Sequence, residues 1–300
     1  MTDEISTVRQ YFDRLAEAFA GSDPAVAQDA TYDAQEFLAG ERQNLAAGGE
    51  EDEAALVRAL RSGFGEPEEV VESYQATEAQ VAAALAPPRV RAAESWGQRI
   101  FGVLVEPRSY GALFFLLLSL PLGILYFVWA VTGLSLSAGL AILVFGFLFF
   151  LFFVSTVRAA AVMECRIVET LLGERMPRRP AVVPPRGGWL QRLGYWIRDG
   201  RTWLTILYMI LRMPLGIVYF TLATVLLSIA LSLMAAPFVQ LFLDFPLITI
   251  MSTRYYLPLW LLPVFLLAGV FDLLVLMHAA RAIGRFHAGM AKSMLARPGI

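Results

Sequence analysis

The chain has 300 residues, 57% of them hydrophobic and 17% charged, with a mean hydropathy of +0.59, too apolar for an ordinary soluble domain of this size. The formal net charge of −2 hides a split: residues 1–86 hold 18 acids and 5 arginines, a net of −13, whereas residues 87–300 hold 8 acids and 19 bases, a net of +11. One cysteine, Cys165, and two histidines, His278 and His287, exclude a disulfide framework and a multi-cysteine metal site, so neither a cofactor nor a metal is expected.

The acidic head comes first. Met1 to Glu4 carry two acids and no basic stretch, so no secretory signal is expected and the head is expected in the cytoplasm. Val8, Phe12, Leu15, Ala16 and Phe19 recur at helical spacing up to Gly21. Ser22 or Asp23 before Pro24 reads as the cap of a second helix, which carries Val26, Ala30, Phe37 and Leu38 and ends near Gly48-Gly49. The acids from Glu50 to Glu53 suit the start of a third helix, a solvated start rather than a metal site. Gly63 to Gly65 end it, and Pro67 restarts a fourth helix with Val70, Val71 and Tyr74. The head has no phosphate loop and no nucleophile with a base, and its charge repels nucleic acid. The long second helix and the acid-rich restart, followed by Leu60, Phe64, Gly65, Glu66 and Pro67, resemble the helical membrane-associated signalling (HAAS) domain over residues 5–80. Gln35, Glu36 and Phe37 depart from its usual pattern. That resemblance implies a transcriptional regulator or a transporter as partner.

After a juxtamembrane segment, 87–109, four stretches reach the roughly 20 apolar residues that a bilayer requires: 110–131, 134–157, 203–234 and 256–278. The third is overlong and could tilt or kink. Nine arginines lie between Arg158 and Arg201, whereas the turn expected around Thr132 has none and 235–255 has only Arg254. The tail, 281–300, adds Arg281, Arg285, Lys292 and Arg297. Positive charge stays inside, so both termini are expected on the cytoplasmic side of the inner membrane.

The chain also repeats itself. At an offset of 93, Trp96, Gln98, Arg99, Arg108, Leu118, Pro121, Leu122, Gly123, Ile124, Tyr126 and Phe127 recur as Trp189, Gln191, Arg192, Arg201, Leu211, Pro214, Leu215, Gly216, Ile217, Tyr219 and Phe220, eleven identities in 32 positions. From Arg158 against Arg281 the offset is 123, so about 30 residues are added between the last two spans. The expected fold is all-α: a helical bundle, then a four-helix membrane domain of two parallel two-span repeats, 96–173 and 189–296, around an axis along the membrane normal. Pro121, Gly123, Pro214 and Gly216 are expected as kinks and packing points on that axis.

Arg212 stands where the first copy has Ser119, and an arginine inside a span needs a partner or a route to the interface. Asp272, at similar depth in the fourth span, is the expected partner. On the outer side the added segment, with Phe242, Asp244, Phe245, Arg254 and Tyr255, reads as a lid for a hydrophobic ligand or as plain interfacial packing. On the inner side Arg178, Arg179 and Arg186 form a basic surface that suits anionic lipids or the acidic head. His278 and His287 read as tail histidines at the lipid surface and Cys165 as an inert or lipidated thiol.

Pro-Leu-Gly-Ile-x-Tyr-Phe in both copies, each after Arg-Ser/Thr-Tyr/Trp, resembles the four-span sensor domain of bacterial and archaeal two-component sensor kinases over about 96–297. The resemblance implies an input module. No ATP-binding region follows up to Ile300, so phosphotransfer by that route is not expected. The expected function is non-enzymatic: sensing a membrane-associated or extracellular stimulus and relaying it to a cytoplasmic regulator, with homo- or hetero-oligomers open. An accessory or scaffold subunit of a membrane transport complex is the alternative.

Overall fold

The structure is a computed structural model that describes residues 5–48, 52–85, 96–141, 145–179, 189–243, 246, 248–250 and 253–296. The described residues are all-α apart from one two-stranded hairpin. The head consists of α1 (Val8–Ala18), α2 (Pro24–Gly48), α3 (Glu53–Ala59) and α4 (Pro67–Leu85). Thr7 and Gln10 form a capping box at α1, and Asp23 Oδ1 accepts from the Ala25 N–H at the start of α2. Gly65, at φ 120°, makes the turn into α4 in a conformation that suits glycine. Leu15, Phe19, Val26, Ala30, Leu38, Leu56, Leu60, Val70 and Val71 form its core. So does Tyr11, fully buried and donating to the Gly65 carbonyl at 2.7 Å, while Val8 and Phe12 flank it half-buried. Burial and the nearby Glu66 and Glu68 push the Tyr11 hydroxyl up to about 12.

A short helix, α5 (Trp96–Phe101), leads to α6 (Pro107–Leu140) and α7 (Phe145–Leu172); α8 (Trp189–Arg198) leads to α9 (Gly200–Leu243) and α10 (Leu262–Leu295). Among the described residues four helices are long and apolar enough to cross a membrane, and they make this a membrane protein. Two bounds differ from expectation. No turn occurs at Thr132: α6 continues to Leu140, because Gly133 is a contact point on which the Phe153 ring of α7 rests, and a Cβ there would lie 2.1 Å from that ring. The third span absorbs the first part of the added segment, since α9 runs unbroken through Pro214 and Pro237 to Leu243. The rest returns as β1 (Ile248–Ile250) paired antiparallel with β2 (Thr253–Tyr255). Gln240 of α9 holds both backbone groups of Leu257, donating to its carbonyl at 2.8 Å and accepting from its N–H at 2.9 Å.

α6 and α9 cross at the centre, each flanked by the helix that follows it. Their contact is reciprocal. A Cβ on Gly123 would lie 2.7 Å from the Arg212 carbonyl oxygen, and a Cβ on Gly216 would lie 2.3 Å from the Ser119 carbonyl oxygen. Gly123 matches Gly216 and Ser119 matches Arg212 at the offset of 93, so the same patch of each helix meets the same patch of the other, as in a twofold contact. Pro121 and Pro214 lie on the outward faces and each removes one helical hydrogen-bond donor without ending the helix.

Candidate functional site between the spans

All four spans contribute to one buried cluster. Its centre is Glu164 of α7, 1% exposed. Glu164 Oε1 accepts from the Tyr208 hydroxyl at 2.8 Å and from Arg212 Nε–H at 3.0 Å; both donors stand on α9, one turn apart. His287 Nε2, from α10, lies 3.0 Å from the Tyr208 oxygen and 3.6 Å from the same Glu164 oxygen. α6 supplies Phe115, whose ring lies 4.8 Å from the Arg212 guanidinium carbon and 4.9 Å from the His287 ring. Tyr219 meets His287 edge-on at 5.7 Å. The Tyr208 hydroxyl has one hydrogen and gives it to Glu164, so His287 Nε2 carries the hydrogen of its contact with Tyr208.

Arg212 and His287 are completely buried. An ion pair so placed costs several kcal/mol of desolvation and persists only when well bonded. Here the bonding is incomplete. Arg212 Nη1 and Nη2, Glu164 Oε2, His287 Nδ1 and the Tyr126 and Tyr219 hydroxyls are buried and make no hydrogen bond among the described residues. Donors and acceptors thus remain on offer between the spans, which suits a polar ligand or a rearrangement of the cluster's own bonds. Among the described residues no three His, Cys, Asp or Glu side chains are placed to hold a metal ion.

Every member has a counterpart in the other half. At 93, Phe115 matches Tyr208, Ser119 matches Arg212 and Tyr126 matches Tyr219; at 123, Glu164 matches His287. The cluster therefore lies where matched positions meet, and in three of these four pairs the residues differ in chemistry.

The expected Arg212 to Asp272 pair does not form. Arg212 turns to Glu164, and Asp272 is half-buried with its Oδ2 unbonded among the described residues. Equal depth sets height in the bilayer but not the direction a side chain takes around its helix. His287 is not at the lipid surface as expected, while His278 is exposed and bonds its own helix at the Leu274 carbonyl. Nine residues is two and a half turns, so the two rings take faces roughly 180° apart. Cys165, beside Glu164, is buried. Of the expected outer lid, Phe242 sits on α9, 79% exposed and stacked on Phe238; Arg254 and Tyr255 lie in β2 opposite Thr249 and Ile248; Asp244 and Phe245 fall outside the described residues.

On the head side the basic segment beyond α7 meets the acidic head. Asp29 of α2 accepts from Arg175 Nη2 and from the backbone N–H groups of Arg178 and Arg179, each at 2.8 Å. Arg175 also pairs with Glu78 at 2.9 Å, Arg179 with Asp33 at 3.0 Å, and Lys292 of α10 with Asp23 at 2.6 Å. Gln28 donates to the Arg179 carbonyl at 2.8 Å. Burial pushes the Asp29 carboxyl above its ordinary value, while Arg175 and the two backbone donors pull it back down. The carboxylates of Glu78 and Asp29 raise Arg175 further, against the effect of burial. Of the expected basic surface, Arg178 and Arg179 thus serve the head, and Arg186 falls outside the described residues.

The profile of the family described as Putative sensor matches residues 115–295. No curated protein and no solved structure matches the chain. The matched range holds the whole buried cluster and leaves the head outside.

Proposed function

We propose, from the premise that the chain belongs to the Putative sensor family, that it is a non-enzymatic membrane regulator: the spans register a membrane-associated or extracellular stimulus and the head passes it to a cytoplasmic partner. In this reading the head and both termini are cytoplasmic in the inner membrane, the head is a HAAS-like relay, and the two halves are a duplicated unit. The reciprocal glycine contacts support the duplication.

The observation that carries the proposal is the continuity of α7. It bears Glu164 in the buried cluster, ends at Leu172, about 12 Å further along at 1.5 Å per residue, and leads within seven residues to Arg175, Arg178 and Arg179, which grip Asp29. A stimulus that rearranges the bonds of Glu164 moves α7 against α9 and α10. The clamp on the head, held at hydrogen-bonding distance, registers that movement and changes what the head presents.

Crosslinking in native membranes, with the full chain and with residues 1–86 deleted, tests this. Capture of one soluble regulator that is lost with the head is the expected result. Capture of a membrane transporter with or without the head would overturn it in favour of an accessory subunit.

A further inference from the structure

Two cavities open at the head end of the spans, and matched positions build their walls. The first is lined by Arg158, Ala161, Val162, Arg201, Thr205 and Leu295, the second by Arg281, Gly284, Arg285, Arg108, Ala112 and Leu172. Taken in that order, each residue of the first is the counterpart, at 123 or 93, of one in the second.

The two have diverged. In the first, Gln28 of the head and Pro177 and Arg179 of the segment beyond α7 join the wall, and its arginines are engaged: Arg158 pairs with Asp199 at 3.1 Å, and Arg201 donates to the Ala296 carbonyl at 2.8 Å. The second has about 430 Å³ of free space, its open mouth included, and no head residue in its wall. Arg285 stands there in place of Val162. Arg281 keeps an ion pair with Glu106 at 2.8 Å, whereas Arg108 and Arg285 make no ion pair or hydrogen bond among the described residues. Glu174 also lines it and pairs with none of the three among the described residues.

We infer that this second cavity binds a phosphate-bearing anion, either the headgroup of an anionic lipid in the adjoining leaflet or a soluble phosphoester. Arg108 and Arg285, without a partner among the described residues, line one open cavity beside the paired Arg281, and a phosphate would give their planar guanidinium groups a charged acceptor. Arg108 lies in the first turn of α6, behind Pro107, where the helix dipole also favours an anion. Ala112 and Leu172 add apolar contact to the lining, and Phe286 beside Arg285 is 65% exposed on α10, a surface along which an acyl chain can lie.

The test uses the full chain in an uncharged detergent, heated in the presence of phosphatidylglycerol, phosphatidylcholine or inorganic phosphate. The wild type is stabilised by phosphatidylglycerol and not by phosphatidylcholine. The Arg108→Ala/Arg285→Val variant needs at least about tenfold more phosphatidylglycerol for the same shift, as expected when charged hydrogen bonds are removed. Stabilisation by inorganic phosphate, lost in the same variant, assigns the site to a soluble phosphoester. The same shift in variant and wild type, or no shift of the wild type with either phosphate probe, overturns the inference. Arg285→Val alone installs the residue of the matched cavity at an exposed position, and it decides the outcome should the double variant fail to fold.

Discussion

The two halves of the membrane domain keep the same backbone contacts and bridging ion pairs and differ in the side chains buried between them. Gly123 and Gly216 receive each other's helix, and Glu106 pairs with Arg281 as its counterpart Asp199 pairs with Arg158, each bridge joining one half to the other. At the axis, Phe115 faces Tyr208's role, Ser119 faces Arg212's, and Glu164 meets His287. Backbone fit constrains both halves equally, because a side chain at either glycine strikes carbonyl oxygens that cannot move far. Side chains on the axis are under no such demand. Charge on one half needs only one partner on the other, so the buried polar chemistry lies where the matched positions differ.

The sharpest way to break that contrast is to make the axis symmetric. Arg212→Ser installs the first half's residue and leaves the Glu164 carboxylate buried without its ion partner, which costs about 3–5 kcal/mol. Unfolding of the purified protein by heat or by a denaturing detergent measures it. Adding Glu164→Leu removes the orphaned charge and recovers part of the loss. A double variant as unstable as the sum of the two singles would show that Arg212 and Glu164 do not act together.

The head makes the second asymmetry, since its Gln28 joins the wall of one of two matched cavities. Asp29→Ala removes the acceptor shared by Arg175, Arg178 and Arg179. Asp29 and Arg175 side chains are only 8% and 16% exposed, so the clamp weakens by about 2 kcal/mol or more. Hydrogen exchange across 24–48 and 175–179 rises together, and the spans keep their protection. An unchanged 175–179 segment would mean that Asp29 does not hold the head there.

The backbone contact that both halves share is tested by Gly216→Ala and Gly123→Ala. Each forces α6 and α9 apart at a backbone contact, an overpacking cost of about 1–3 kcal/mol, with Gly216→Ala the worse because its Cβ meets a carbonyl oxygen at 2.3 Å rather than 2.7 Å. Thermal unfolding of the two variants side by side checks the order.

Much of this plan could be read in the residues. Capping at Asp23, the restart at Pro67, the four apolar stretches and the offsets of 93 and 123 follow from local chemistry and spacing, which a linear sequence displays. The partner of Arg212 did not follow, for a definite reason: depth along a span can be counted, but which helix face meets which depends on packing. A signal was present. Glu164 matches His287 at the offset already established by Arg158 and Arg281, and an acid matched to an imidazole inside apolar helices is a pair that a twofold axis brings close. The turn misplaced at Thr132 had a similar origin, since Thr-Gly marks a turn in water and a close helix contact, here with Phe153, between spans.

The smallest effect sharpens the comparison most, because it separates two bridges that are equivalent by position. Asp199 and Arg158 are 13% and 20% exposed, and Asp199 also accepts from the Arg201 N–H and the Thr202 hydroxyl at the start of α9. Glu106 and Arg281 are 36% and 39% exposed and have no such support among the described residues. Glu106→Gln therefore costs about 0.2–1 kcal/mol and its effect fades as salt is added, since an exposed pair is screened. Asp199→Asn costs more and keeps its effect in salt, because it leaves the more buried Arg158 without its carboxylate beside the Trp196 ring. Equal, salt-sensitive losses in a thermal titration of the two variants would mean that burial does not distinguish the bridges and that the halves are more alike in their bridges than the side chains show.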